Sequence, residues 1–309
     1  LRIAFFGTPV HAVPYLDVIT AEHELVAVVT QPDKPRGRSG ALMAPPVKEA
    51  ALELGVPVCQ PDRCGCDELH DTLVSQGTDL VVVVAYGQIL PCHLLDLPRF
   101  GAVNVHYSLL PKLRGAAPVQ HAILEGLTET GVTVQYVAER VDSGDVIAQR
   151  ATYMLPEDRT DTLTARLTIL GTSLMGEVLE ALETGRAPRR PQDDADATFA
   201  PLLRKQDGCI DWANSAVGID RQARGCYPWP IAWVGDAAPL RIMATRVARS
   251  PKGDHEPGEI VEVARDGGVV VACGEGTVLI TEVQPAGRRR MSAADYLRGA
   301  RLAVGDRLS

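Results

Sequence analysis

Short runs of uninterrupted apolar residues alternate with amphipathic stretches along the first half of the chain. "LRIAFF" has the pattern of a buried strand running into a Gly-Thr-Pro turn, "AVPYLDVIT" of a helix, and "ELVAVVTQPD" of a second strand. "VKEAALELG" reads as a helix closed by Gly55, and "DLVVVVAYG" as a third strand, so apolar that both its faces must be covered. Val-rich strands alternating with amphipathic helices predict a parallel sheet of right-handed crossover units. "GAVNVHYS" supplies the next strand, and "TGVTVQYV" with "DVIAQRATYML" a β-ribbon. The expected architecture is a doubly wound α/β domain that binds its ligands at the carboxyl ends of the strands.

Between residues 161 and 184, Leu163, Leu167, Leu170, Leu174, Val178 and Leu182 recur at helical spacing and Gly185 follows as a stop. This predicts one long helix whose apolar stripe is core packing. "GRAPRRPQDDADATFAP" has the composition of an exposed linker. Beyond it "PLRIMATRV", "GEIVEV", "GVVVACG" and "TVLITEVQ" are short strands between Gly-rich turns, the pattern of a small antiparallel OB-like β-barrel. The expected division is a first domain over 1–188, a linker over 189–207 and a second domain over 208–309.

Composition narrows the class. With 46% hydrophobic and 23% charged residues in 309, the chain is globular. No stretch approaches the roughly 20 apolar residues of a membrane span, and the apolar opening is too short for a secretory signal. A cytoplasmic protein without a membrane partner is expected. Seven scattered cysteines argue for reduced thiols, and Cys64, Cys66 and His70 lack the further ligands of a zinc site, so no metal is expected. No heptad or Met-rich seam marks an oligomer interface, and a monomer is expected. The net charge of −8 opposes nucleic-acid binding in sum, but the positive charge is local. Lys34, Arg36 and Arg38 share a Gly/Pro-rich loop, and residues 285–303 set Arg288, Arg289, Arg290, Arg298 and Arg301 against Asp295 alone.

The candidate chemistry lies in "NVHYSLLPKLRGAAPVQ", 104–120. Asn104, His106 and Ser108 recur at period two, which puts them on one face of a strand. Such residues either close the strand with backbone hydrogen bonds or line a reactive edge. "RVDSGDV" offers two carboxylates across a tight turn: Asp142 or Asp145 reaches the imidazole, or both bond only their own backbone. Other chemistries fit less well. "FGTPVHAV" lacks the G-x-G-x-x-G of a dinucleotide site, and no G-x-S-x-G elbow is present. Cys92 and His93 are helix neighbours pointing about 100° apart, which makes no nucleophile–base pair. Asn, His and Asp at a sheet edge favour direct acyl transfer between two bound substrates.

"FGTP", "QPDKPRGR", "VVAYGQILP", "NVHYSLLPKLRGAAPVQ", "TGVT", "VDSGDV", "IDW", "PWP" and "QPAGRRRMSAADYLRG" occur in this order over nearly the whole chain. Together they resemble the folate-dependent formyltransferases, and within them the methionyl-tRNA formyltransferases. The resemblance implies a Rossmann-like formyltransferase fold followed by an OB-like tRNA-binding domain. It implies a formyl group moving from 10-formyltetrahydrofolate to the α-amine of methionyl initiator tRNA, with Asn104, His106 and Asp142 catalytic and no metal. Ser108, Leu109, Leu110 and Pro111 are similar to the family's folate-contacting turn. Val84, Ala85, Tyr86, Gly87, Gln88, Ile89 and Leu90 match the loop that walls the pterin. Lys34, Arg36, Arg38, Lys205, Arg288, Arg289 and Arg290 become candidates for tRNA contact, while Arg114 either holds its loop or approaches the tRNA end. The rival acceptors are a purine ribonucleotide, a sugar nucleotide or water, the last giving a formyltetrahydrofolate hydrolase.

Overall fold

The computed structural model describes residues 1–36, 40–235, 238–249 and 254–308. The elements in chain order are β1 (Arg2–Gly7), α1 (Pro14–Glu22), β2 (Glu24–Val29), β3 (Lys34–Arg36), β4 (Ala41–Met43), α2 (Pro46–Glu53), β5 (Val58–Cys59), α3 (Asp67–Ser75), β6 (Leu80–Val84), α4 (Cys92–Leu95), β7 (Ala102–His106) and α5 (Pro118–Leu124). Then follow β8 (Glu129–Tyr136), β9 (Val146–Tyr153), α6 (Thr160–Glu183), α7 (Ala216–Gly225), β10 (Ala232–Val234), β11 (Leu240–Ala248), β12 (Ile260–Val263), β13 (Val269–Ala272), β14 (Thr277–Gln284), β15 (Met291–Ser292) and α8 (Ala293–Ala300). They fall into two compact units, one of residues 1–118, 129–153 and 164–201, the other of 119–128, 154–163 and 202–309.

The first unit is built on a seven-stranded sheet in the order β5-β2-β1-β6-β7-β8-β9. Pairing is parallel from β5 to β7 and antiparallel at β7–β8 and β8–β9. The strand order reverses between β1 and β6, which opens a crevice beyond their carboxyl ends. All five residues of β6 are buried, as its unbroken apolar run requires. Proline at the first turn starts both α1 and α2, where its missing N–H costs no helical bond.

Two stretches differ from the sequence expectation. The loop expected around Lys34 is in part a hairpin, with Lys34 paired to Met43 and Arg36 to Ala41; its Lys, Pro and Arg content hides the strands. Part of the expected linker lies on the sheet edge, where Arg190 exchanges backbone hydrogen bonds with Val146 and Ala200 bonds Arg114. Its Asp/Pro/Arg composition reads as solvated because its order comes from tertiary hydrogen bonds, which leave no periodic trace.

The second unit is an antiparallel sheet in the order β10-β11-β14-β13-β12, with β15 beside β14. Ile219 of α7, Leu297 of α8 and Ile242, Ile260, Val271, Val278 and Ile280 of the strands share one core. Ser215 and Ser292 cap α7 and α8, each hydroxyl accepting a backbone N–H three residues on.

In the 3-10 turn Val10–Ala12, the His11 ring sits 5.6 Å from that of Tyr107, and burial pushes its pKa from 6.5 down to about 4. Below pH 6.5 the unfolded chain takes up a proton that the folded chain refuses until about pH 4. Stability must therefore fall as the pH drops through that window, by about 2 kcal/mol between pH 7.5 and 5. Urea titrations at both pH values should find this loss reduced in His11→Asn. Equal losses in variant and wild type would mean that His11 is not buried in its neutral form.

Candidate active site

The antiparallel register of β7 and β8 sets His106 opposite Thr133 and Asn104 opposite Gln135. This arranges four polar side chains at the carboxyl end of β7. The turn after β8 brings Asp142 back to them. Asp142 has φ of 51°, and Gly144 passes so close to Tyr136 that an added Cβ would lie 1.8 Å from its carbonyl oxygen. Only glycine fits at 144, so the glycine of the D-S-G-D sequence is a steric requirement of the turn.

Asp142 Oδ1 accepts from Asn104 Nδ2 at 3.2 Å and from Gln135 Nε2 at 3.1 Å. Its Oδ2 accepts the Gly115 N–H at 2.9 Å and lies 3.5 Å from His106 Nδ1. Of the two carboxylates left open by the sequence, Asp142 is thus the one beside the imidazole. Asp145 instead faces Arg189 at 3.8 Å. His106 is buried, and its Nε2 lies 2.8 Å from the Leu113 carbonyl. A carbonyl only accepts, so Nε2 carries a proton and Nδ1 is the nitrogen that faces Asp142.

Ser108 stands apart from this face. β7 ends at His106, and the Ser108 hydroxyl turns inward to donate to the Lys112 carbonyl at 2.6 Å. The period-two reading therefore holds for two residues, and Ser108 instead holds the turn in shape. Thr133 Oγ1 reinforces that turn, donating to the Ser108 carbonyl at 2.6 Å and accepting from Leu110 N at 3.1 Å. Gln149 Nε2 donates to the Leu110 carbonyl at 2.8 Å. Leu109 is partly exposed, whereas Leu110 is buried before the cis bond to Pro111.

The 84–90 loop leaves β6 beside this turn, since Val83 pairs with Asn104. Val84, Tyr86 and Leu90 are buried, and the Tyr86 ring packs edge-on against Phe6. Ala85, Gly87 and Ile89 are the outward positions. Gln88 is committed to structure, accepting the Cys64 N–H at 2.8 Å. Gln31 Nε2 is a buried donor with no hydrogen-bond partner among the described residues, and it lies 3.9 Å from where a Cβ on Gly87 would be. The Gln31 amide can therefore donate to an acceptor on the outward side of Gly87.

The Formyl transferase family matches residues 1–179, and its C-terminal domain matches 202–301. Methionyl-tRNA formyltransferase of Bacillus licheniformis is 43% identical over 99% of this chain and 98% of its own. The enzyme of that name from Geobacter sulfurreducens is 43% identical over 100% and 96%. This chain belongs to the formyl transferase family. HypX from Aquifex aeolicus, solved with tetrahydrofolic acid, shares the fold at a TM-score of 0.64 and 18% identity, over 96% of this chain and 46% of its own. This chain thus spans about half the length of HypX.

The remaining candidates lie farther along the chain or outside this cluster. Lys34 is exposed on β3, which Arg36 ends, and Arg38 lies outside the described residues. In the second unit Lys205 is exposed in a 3-10 turn, and Arg288, Arg289 and Arg290 are exposed after β14. Among the described residues no three His, Cys, Asp or Glu side chains assemble as a metal set.

Four residues were passed over in the sequence. Thr133 and Gln135 betray themselves by alternating with Val132, Val134 and Tyr136 in a buried strand. Gln149, on the partly exposed β9, carries no comparable signal. Gln192 gives none either, since it sits in the linker-like stretch. Its Nε2 donates to Gln135 Oε1 at 3.0 Å, the Asp142 carbonyl at 2.9 Å and the Gly144 carbonyl at 2.8 Å. Its Oε1 accepts from buried Arg114, whose other end pairs with Asp194 at 2.8 Å. Arg114 is therefore spent on holding the Asp142 turn. Gln192→Ala should lower kcat for formyl transfer by about 10²-fold with folate affinity retained, because the Asp142 turn loses its fixed position. Turnover within twofold of wild type would remove Gln192 from the positioning network.

Proposed function

We propose that this protein transfers the formyl group of 10-formyltetrahydrofolate to the α-amine of methionyl initiator tRNA. The observation that carries the reading is end-to-end similarity to methionyl-tRNA formyltransferases, through both the catalytic and the C-terminal family regions. The outward positions of the 84–90 loop, the Gln31 amide without a partner among the described residues and the 108–113 turn support a folate site at the crevice. No helix among the described residues is long and apolar enough to cross a membrane. We read the protein as a cytoplasmic monomer.

Folate supplies an activated formyl group, and the chain supplies orientation and charge. As the amine adds to the formyl carbon, the carbonyl oxygen gains negative charge. Asn104 has two amide hydrogens, one held by Asp142, which leaves the other for that oxygen. His106, protonated on Nδ1 as well as Nε2, keeps both N–H groups on Asp142 and the Leu113 carbonyl, so what it adds at the same end of β7 is positive charge and not a further hydrogen bond. Each well-placed donor contributes about 3 kcal/mol to such a transition state. Asp142 stabilises the doubly protonated ring and, through water, accepts the proton that the amine releases. The carbon–nitrogen bond to folate then breaks, and that proton passes to the departing nitrogen.

The arginines after β14 take the tRNA backbone, so affinity falls as salt rises. The deciding experiment compares methionylated initiator tRNA, methionylated elongator tRNA and free methionine as acceptors of labelled formyl. Rapid formylation of the first alone is expected; transfer to none of them, with folate still bound, would send the acceptor assignment to a nucleotide or sugar. In the same assay His106→Ala and Asp142→Asn should each lose roughly 10²- to 10³-fold in kcat with tRNA affinity unchanged. Near-normal turnover of either would end the catalytic assignment. Replacing Arg288, Arg289 and Arg290 together by Ala should weaken tRNA binding and flatten its salt dependence, and an unaltered salt slope would exclude them from the contact.

A further inference from the structure

Outside the catalytic cluster, one surface feature of the second unit has no structural use. The segment 226–231, "CYPWPI", leaves α7 as a closed loop, pinned at its base by the Ile231 N–H on the Cys226 carbonyl at 2.8 Å. Trp229, at its tip, is 54% exposed. The other two tryptophans are used for structure: Trp212 is buried and donates to the Leu308 carbonyl, and Trp233 donates to the Lys205 carbonyl. A single exposed apolar side chain would need no explanation. Its surroundings supply one.

Two residues earlier, Tyr227 lies between arginines from distant parts of the chain. The Arg159 guanidinium sits 3.5 Å from the Tyr227 ring centroid, and Arg290 Nη2 donates to the Tyr227 hydroxyl at 3.1 Å. Arg290, with Arg159 behind it, draws the phenol below its ordinary pKa. Arg290 also ends the exposed run Arg288–Arg289–Arg290, and no ion pair of Arg288 or Arg289 occurs among the described residues. In a chain of net charge −8, this is a local concentration of arginines, joined through Tyr227 to the loop that carries the exposed indole two residues on.

Arg290 pairs with Glu282 at 3.7 Å, which leaves Arg288 and Arg289 as the guanidinium groups without an ion pair among the described residues. An exposed π face together with such guanidinium groups is the chemistry that holds an unstacked nucleotide: the base stacks and the phosphate takes the charge. An acidic peptide would use the arginines and leave the indole idle. We infer that Trp229 is a stacking site for one unpaired base of the tRNA, with Arg288, Arg289 and Arg290 taking the adjoining backbone. The inference rests on the tRNA reading above. Tyr227, clamped by Arg159, fixes Arg290 in place.

The test uses the full chain and uncharged initiator tRNA, so that binding is read without chemistry. Tryptophan fluorescence should be quenched on binding. Trp229→Ala should weaken affinity about tenfold, the order expected for one lost base stack. Trp229→Phe should keep most of the affinity and lose most of the quench. Folate affinity should be equal in all three proteins, which reports that the variants are folded. Wild-type affinity in Trp229→Ala would overturn the stacking site and leave the tRNA reading intact. Failure of the wild-type protein to bind tRNA while still binding folate would overturn both.

Discussion

The carboxylate of Asp142 is the point on which the catalytic unit is organised. It sits largely out of water, on a residue in the left-handed backbone region that few side chains adopt, and four groups converge on it. Three donate hydrogen bonds: the Asn104 amide, the Gln135 amide and the Gly115 backbone. The fourth is the His106 ring. A buried carboxylate is tolerated only when its lone pairs are met in this way. Each donor is also a constraint on position. Asn104 and Gln135 tie it to adjacent strands, and Gly115 to the loop that follows the 108–113 turn. Gln192 and Arg114 then fix the turn from outside.

That arrangement explains why the 190–200 stretch runs along the sheet edge. Arg114 is buried and charged, and it is satisfied by Gln192 and Asp194. Arg140 also bonds Asp194 and is the first cause of its lowered carboxyl pKa, with Arg114 second. The segment so anchored leads on to the second unit. Its order is thus a consequence of the same hydrogen-bond network that positions Asp142.

Much of this was legible in the sequence, for physical reasons that differ from element to element. The β6 run could be nothing but a strand buried on both faces, and α6 declared itself by six apolar residues at helical spacing. Asn104 and His106 stood out because polar residues at period two in a strand need a reason. Ser108 looked like a third member because the sequence does not mark where β7 stops. Its hydroxyl serves the turn instead. Asp142 could not be separated from Asp145 by turn chemistry alone; the separation comes from which of them the chain reversal at Gly144 carries toward β7. Gln192 was invisible because its partners are 48 to 78 residues away and its neighbours are charged. The aromatic and arginine cluster around Tyr227 was hidden in the same way, being drawn from residues 159, 227 and 290.

His106 holds its Nε2 proton on the Leu113 carbonyl and turns Nδ1 toward Asp142, and the pairing of ring and carboxylate depends on that orientation. Nitrogen NMR of protein carrying 15N-histidine, with the His106 signals assigned by their loss in His106→Asn, reads this directly. With this orientation the neutral ring carries its proton on Nε2, and a neutral ring protonated on Nδ1 would overturn the assignment.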